Sequence, residues 1–105
     1  MRGRDVVMPN LNYIRGRHFE YRVIKDQLSK GALYVFRSAG SHGCIDVLAF
    51  YSDRVVLIQC KNQAASRKEW GELKAFRNTM SSSFYHVMMC ENVGHMLRYT
   101  LIEAS

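Results

Sequence analysis

Asp46, Gln59 and Lys61 are the side chains whose types and spacing suggest chemistry. They stand in two β-rich runs, residues 45–51 and 54–61, joined by a turn at Ser52-Asp53. With that turn, paired positions sum to 105, so Asp46 is expected directly across from Gln59. Residues two apart on a strand share a face, so Lys61 joins them while Cys60 points away. A carboxylate, an amide oxygen and an ammonium then share one otherwise apolar hairpin. Such polar placement inside a sheet is costly unless it serves chemistry.

Hard divalent cations take oxygen ligands, and magnesium is typically held by one or two carboxylates plus waters and substrate phosphate. Asp46 is one such carboxylate. Glu20, on a helix expected over residues 13–30, is the second. It lies about 40° around the helical wheel from Ile24 and so borders the apolar face. Gln59 offers an amide oxygen, and the Cys60 backbone carbonyl a fourth ligand. Lys61 would neutralise the phosphate or hold the attacking water. Together these groups assemble metal-assisted phosphodiester hydrolysis. The plain alternatives are a strand-end pair of Asp46 with Lys61, and an ion pair of Glu20 with Arg15, Arg17 or Arg22.

These residues need elements to position them. Asn12 is expected to cap the first helix and Gly31 to end it. Its apolar stripe is Phe19, Val23, Ile24 and Leu28. Gly16, unfavourable in a helix, suggests close approach of a neighbour there. Residues 32–37 read as a first strand. Ser38-Ala39-Gly40-Ser41-His42-Gly43 follows, a loop able to approach a ligand closely, with Ser38, Ser41 and His42 as phosphate contacts. The hairpin is apolar on both faces, so it is expected centrally in the sheet with a layer on each side. Ser66-Arg67-Lys68-Glu69 fits a capping box and starts a second helix over 67–80, with Trp70, Leu73, Phe76 and Met80 inward. Residues 84–90 and 96–102 read as strands joined by a turn at Glu91-Asn92-Val93-Gly94. The order helix, three strands, helix, two strands implies an α/β domain: a central mixed five-stranded sheet flanked by helices.

With 105 residues, the chain is expected to form one domain, with residues 1–11 as a basic arm carrying Arg2 and Arg4. The net charge of +6 serves solubility or a polyanionic partner, nucleic acid first. Arg15, Arg17, Arg22, Arg37, His42, Arg67 and Lys68 are the candidate DNA contacts. Cys44, Cys60 and Cys90 are odd in number and form no CxxC pair, which favours free thiols over disulfides or zinc. No run of about 18 apolar residues exists, so no membrane role is expected. The expected location is the cytoplasm, or the host cytoplasm for a viral protein.

The pattern resembles the PD-(D/E)xK nuclease superfamily, and within it the archaeal-type Holliday junction resolvases. The resemblance covers about residues 13–70. It rests on Arg15-Gly16 with Phe19-Glu20, on the loop from Arg37 to Gly43 with Ile45-Asp46, and on Ile58-Gln59-Cys60-Lys61. It implies a restriction-endonuclease-like core and a homodimer that binds four-way DNA junctions. It further implies paired symmetric nicks made with Mg2+, Mn2+ being an alternative. By position, Glu20, Asp46 and Gln59 match the metal-binding acidic residues and Lys61 the catalytic lysine. Ser38 or Ser41 matches the loop serine beside the scissile phosphate. The chain departs from the pattern twice: Gln59 stands in place of Glu, and Ile45 in place of the proline. Two other readings are a nuclease of the same fold acting on flaps or duplex DNA, and a non-catalytic nucleic-acid-binding module.

Overall fold

A computed structural model of the chain describes residues 11–38 and 43–104. The basic arm up to position 10, and the loop residues Ser41 and His42, lie outside the described residues. The elements are α1 (Leu11–Ser29), β1 (Tyr34–Arg37), β2 (Val47–Phe50), β3 (Val55–Lys61), α2 (Arg67–Asn78), β4 (Tyr85–Val93) and β5 (Met96–Ile102).

The five strands form one sheet in the order β1-β2-β3-β4-β5. Only β3 and β4 run parallel, with α2 as their crossover; the other pairs are antiparallel. The mixed α/β architecture expected from the sequence is therefore present.

The central hairpin has the expected register. Val47 pairs with Ile58 and Phe50 with Val55, and the Tyr51 N–H closes the turn on the Arg54 carbonyl at 2.8 Å. Four successive β3 residues, Val55 to Ile58, are buried, because each face of the sheet is covered there. On one face Val47, Ala49, Val56 and Ile58 meet Phe19 and Val23 of α1. On the other, Val55, Leu57, Val87 and Met89 meet Leu73 of α2. Burying Phe19 or Val23 contributes roughly 1.5–3 kcal/mol each.

Four boundaries or positions differ from expectation. First, α1 already includes Leu11 and Asn12, so Asn12 lies inside the helix and is not its cap. Second, the inward row of α1 is Phe19, Val23 and Gln27, spaced by four, while Leu28 is half-exposed. Gln27 is tolerated there because the Tyr51 hydroxyl donates to its Oε1 at 2.6 Å. Third, β1 and β2 are shorter than expected, and Asp46 falls just before β2. Fourth, β4 runs through Glu91 and Asn92, and the turn is Gly94-His95. Both turn residues have positive φ (54° and 66°), as a two-residue hairpin loop of the twist-matched kind requires.

The stop of α1 and the start of α2 are as read, while α2 ends at Asn78, short of the expected Met80. Gly31, at φ 101°, stops α1 in a Schellman motif: the Gly31 N–H donates to the Leu28 carbonyl and the Ala32 N–H to that of Gln27, each at 3.1 Å. The Ser66–Glu69 capping box starts α2.

α2 packs on β4 and β5 and leaves the β1–β2 end of its face open. There Tyr34 stacks on Phe36, and Phe36 meets Phe50 edge to face at 5.7 Å. A groove of about 710 Å³ runs between Leu48, Phe50 and Leu57 on one side and Phe76, Met80 and Phe84 on the other. Among the described residues no helix is long and apolar enough to cross a membrane.

Candidate active site

Asp46 is held by three bonds, each 2.8 Å long. Its carbonyl accepts the Ser38 N–H, its N–H donates to the Ile58 carbonyl, and its Oδ2 accepts the Cys60 N–H. The first bond ties Asp46 to the end of β1. The other two tie it to the residues on either side of Gln59. The side chain thus continues the β2–β3 ladder where the main chain of β2 has ended.

Burial pushes the Asp46 carboxyl up to about 6. The Cys60 N–H works against that rise, the negative charge of Glu20 adds to it, and the charges of Lys61 and Arg37 oppose it. The rise comes first from lost hydration and only secondarily from the surrounding charges.

Gln59 is 9% exposed, and its Oε1 is buried with no hydrogen-bond partner among the described residues. A buried unpaired carbonyl oxygen costs about 1–3 kcal/mol. A neighbouring cation would remove that cost. The donor set suits a hard divalent ion: an amide oxygen without a partner, across the hairpin from a partly buried carboxylate. Among the described residues there is no group of three or more His, Cys, Asp or Glu side chains that could hold a metal ion. The candidate set contains two carboxylates, Glu20 and Asp46, and a neutral amide.

Glu20 comes from the middle of α1. Its Oε1 accepts the Arg37 Nε at 2.7 Å, and both side chains are 20% exposed. The expected partners Arg15, Arg17 and Arg22 do not take this carboxylate. Arg37 reaches it because Val35 and Arg37 alternate onto the α1 side of β1. Arg22 is drawn to the far hairpin, where it donates to the His95 carbonyl at 2.6 Å. Arg17 lies over the Tyr21 ring.

Lys61 ends β3, and its Nζ meets Oε2 of Glu69 at 2.5 Å. Arg15, Gly16 and Lys61, with Asn62 and Gln63, line a recess of about 330 Å³. Gly16 also lines a second recess of about 160 Å³ with Glu20 and Arg37. No neighbouring atom lies within 4 Å of where a Gly16 Cβ would be, so the glycine leaves open space instead of admitting a close neighbour. Arg67 and Lys68 open α2 and are exposed. Ser38, whose N–H binds the Asp46 carbonyl, also lines the apolar groove.

The structure thus brings Asp46, Gln59, Cys60, Lys61 and Ser38 to one end of the sheet, with Glu20 and Arg37 close by. The three cysteines are free, and burial pushes their thiols up, Cys90 to about 12. They are poor nucleophiles.

Two acids escaped sequence reading. Glu69 was legible only as a cap, and Glu91 as a turn residue. Glu91 is 2% exposed; its Oε1 accepts from Arg98 at 2.9 Å and its Oε2 from the Ala65 N–H at 2.8 Å. Only the parallel register, which sets Glu91 beside Lys61, would have located it.

No protein-family model matches the chain, and no curated protein is significantly similar to it.

Proposed function

We propose that this chain is a metal-dependent DNA endonuclease with a restriction-endonuclease-like core, acting on branched DNA such as a four-way junction. One observation carries the reading: the Gln59 Oε1 is buried and unpartnered on the β3 residue flanked by the two that Asp46 binds. Asp46 and Gln59 would hold Mg2+ or Mn2+, assisted by Glu20 and the Cys60 carbonyl. The bound ion would supply charge neutralisation at the phosphate and an activated water.

The chain's own residues supply the rest. Lys61 carries positive charge to the edge of the recess it shares with Arg15, where a phosphate oxygen has room. Arg37 orients Glu20 through their 2.7 Å ion pair. Ser38 is fixed beside Asp46 through its N–H. Arg15, Arg67 and Lys68 are free to grip phosphates with little base readout, so affinity should fall steeply with salt. A homodimer would place two such sites on symmetric strands of a junction.

The test incubates the protein with a fixed four-way junction and a matching linear duplex, with Mg2+ or with chelator. Paired symmetric nicks in the junction, abolished by Asp46→Asn and by Lys61→Ala while binding stays within a few-fold, are the expected result. Native-rate cleavage by Lys61→Ala would remove the lysine from the mechanism. Equal cleavage of the duplex would replace junctions with general duplex DNA as substrate.

A further inference from the structure

The carboxylate of Glu69 performs two tasks with two oxygens. Oε1 accepts the Ser66 N–H at 2.8 Å and closes the capping box of α2. Oε2 binds the Lys61 ammonium at 2.5 Å. The Lys61 side chain is 28% exposed and that of Glu69 25%, so the pair is shielded more than a surface ion pair and less than a core one. Helix capping needs only the first oxygen.

The segment that carries Glu69 is itself fixed from the sheet. The buried Glu91 of β4 accepts the N–H of Ala65, the residue before the cap. Glu91 is in turn the parallel neighbour of Lys61. The acid that pairs with Lys61 is thus set by the start of α2, which Glu91 of β4 anchors. A long flexible ammonium is held at one point in this way, and its rotamer freedom is spent before any ligand arrives.

We infer that Glu69 is a positioning residue, which aims the Lys61 ammonium at the phosphodiester while its other oxygen caps α2. The inference rests on the nuclease reading above for the phosphodiester, and on geometry alone for the tether. Glu69 touches no reacting atom and acts through Lys61.

The experiment compares Glu69→Gln, Ser66→Ala and the unsubstituted chain. Glutamine keeps an oxygen for the Ser66 N–H and loses the ion pair, so the variant should fold. Its kcat on the four-way junction should fall by about 10- to 100-fold with KM nearly unchanged, as expected when a catalytic group is misplaced and binding is not. Ser66→Ala removes the hydroxyl side of the cap; it should lower Tm and leave kcat unchanged. In parallel, reductive methylation read by mass spectrometry should modify Lys61 severalfold faster in Glu69→Gln, with Lys25 as the internal reference. Equal Lys61 labelling in Glu69→Gln and the unsubstituted chain would overturn the tether. An unchanged kcat in Glu69→Gln, or an equal fall in kcat in Ser66→Ala, would overturn the positioning role. An unsubstituted chain that cleaves no DNA would overturn the nuclease reading, and the labelling result would still decide the tether.

Discussion

The Asp46 carboxylate accepts the Cys60 N–H at 2.8 Å, and the Asp46 N–H donates to the Ile58 carbonyl at the same distance. One residue thus clamps β3 on both sides of Gln59. The clamp explains how an ionisable side chain is kept at a buried strand end, and it sets the terms of the first two predictions.

Removing the Asp46 charge should stabilise the metal-free protein at neutral pH. The carboxyl is raised from its ordinary 3.8 to about 6. As pH rises, the unfolded chain ionises first, so this group's contribution falls between about pH 4 and pH 6 and stays low above. The loss is on the order of 1–2 kcal/mol once solvent screening is allowed for. In chelator at pH 7.5, Asp46→Asn should therefore have a higher Tm than the unsubstituted chain, and at pH 4 the two should agree. Added Mg2+ should raise the Tm of the unsubstituted chain only. Thermal unfolding at the two pH values, with and without metal, checks both statements.

Gln59→Glu should act in the opposite sense. A second carboxylate beside Asp46 adds like charge at a site that is 9% exposed. Without metal it should destabilise by about 1–3 kcal/mol. With Mg2+ the order should reverse, because the added charge strengthens metal binding. A Tm titration with Mg2+ reads the crossover, and cleavage at low metal should be kept or increased. Strong loss of cleavage would show that the amide hydrogens of Gln59 matter.

Gly16→Ala should stabilise α1. The position is helical, its φ is not positive, and no neighbouring atom lies within 4 Å of the new Cβ. The gain should be about 0.5–1 kcal/mol, seen as a higher urea midpoint with an unchanged m-value. Bulkier residues would extend into the two recesses that Gly16 lines, so Gly16→Leu should weaken DNA binding without lowering Tm.

His95→Gly should stabilise the β4–β5 hairpin by about 0.5–1 kcal/mol. His95 adopts φ 66° in a turn that requires positive φ at both positions. The Arg22 bond goes to the His95 carbonyl and survives the change. Equilibrium denaturation is a sufficient measurement.

The sequence was most readable where one strong pattern spoke without competition. The β2–β3 register followed from two apolar runs and a short polar turn, because any one-residue slip would have turned both faces over. The ends of α1 and α2 at Gly31 and Ser66 followed from cap chemistry. Reading failed where a distant partner overrode a local preference. Glu91 and Asn92 resemble a turn by type, yet Arg98 and the Ala65 N–H satisfy Glu91 inside the strand. Gln27 outcompetes Leu28 for the buried face because Tyr51, from another element, meets its amide. Glu20 was correctly placed at the border of the core, but its partner Arg37 lies on β1 and only strand alternation brings it near. For the site, type and spacing picked out Asp46, Gln59 and Lys61. They gave no sign of the tie between Lys61 and Glu69, since two positions eight apart across a loop share no periodicity.

The sole parallel pairing among the described residues, β3 with β4, joins positions as distant as Lys61 and Glu91. The two hairpins, β2–β3 and β4–β5, close over short turns and can form early in folding. Their union must wait for the intervening helix and for closure of a long loop, so it should limit the folding rate. Glu69 reaches Lys61, and Glu91 becomes its strand neighbour, only once that late seam has formed. A nascent chain would thus carry Asp46 and Gln59 already juxtaposed on one hairpin, while the lysine swings unrestrained until the last step of assembly.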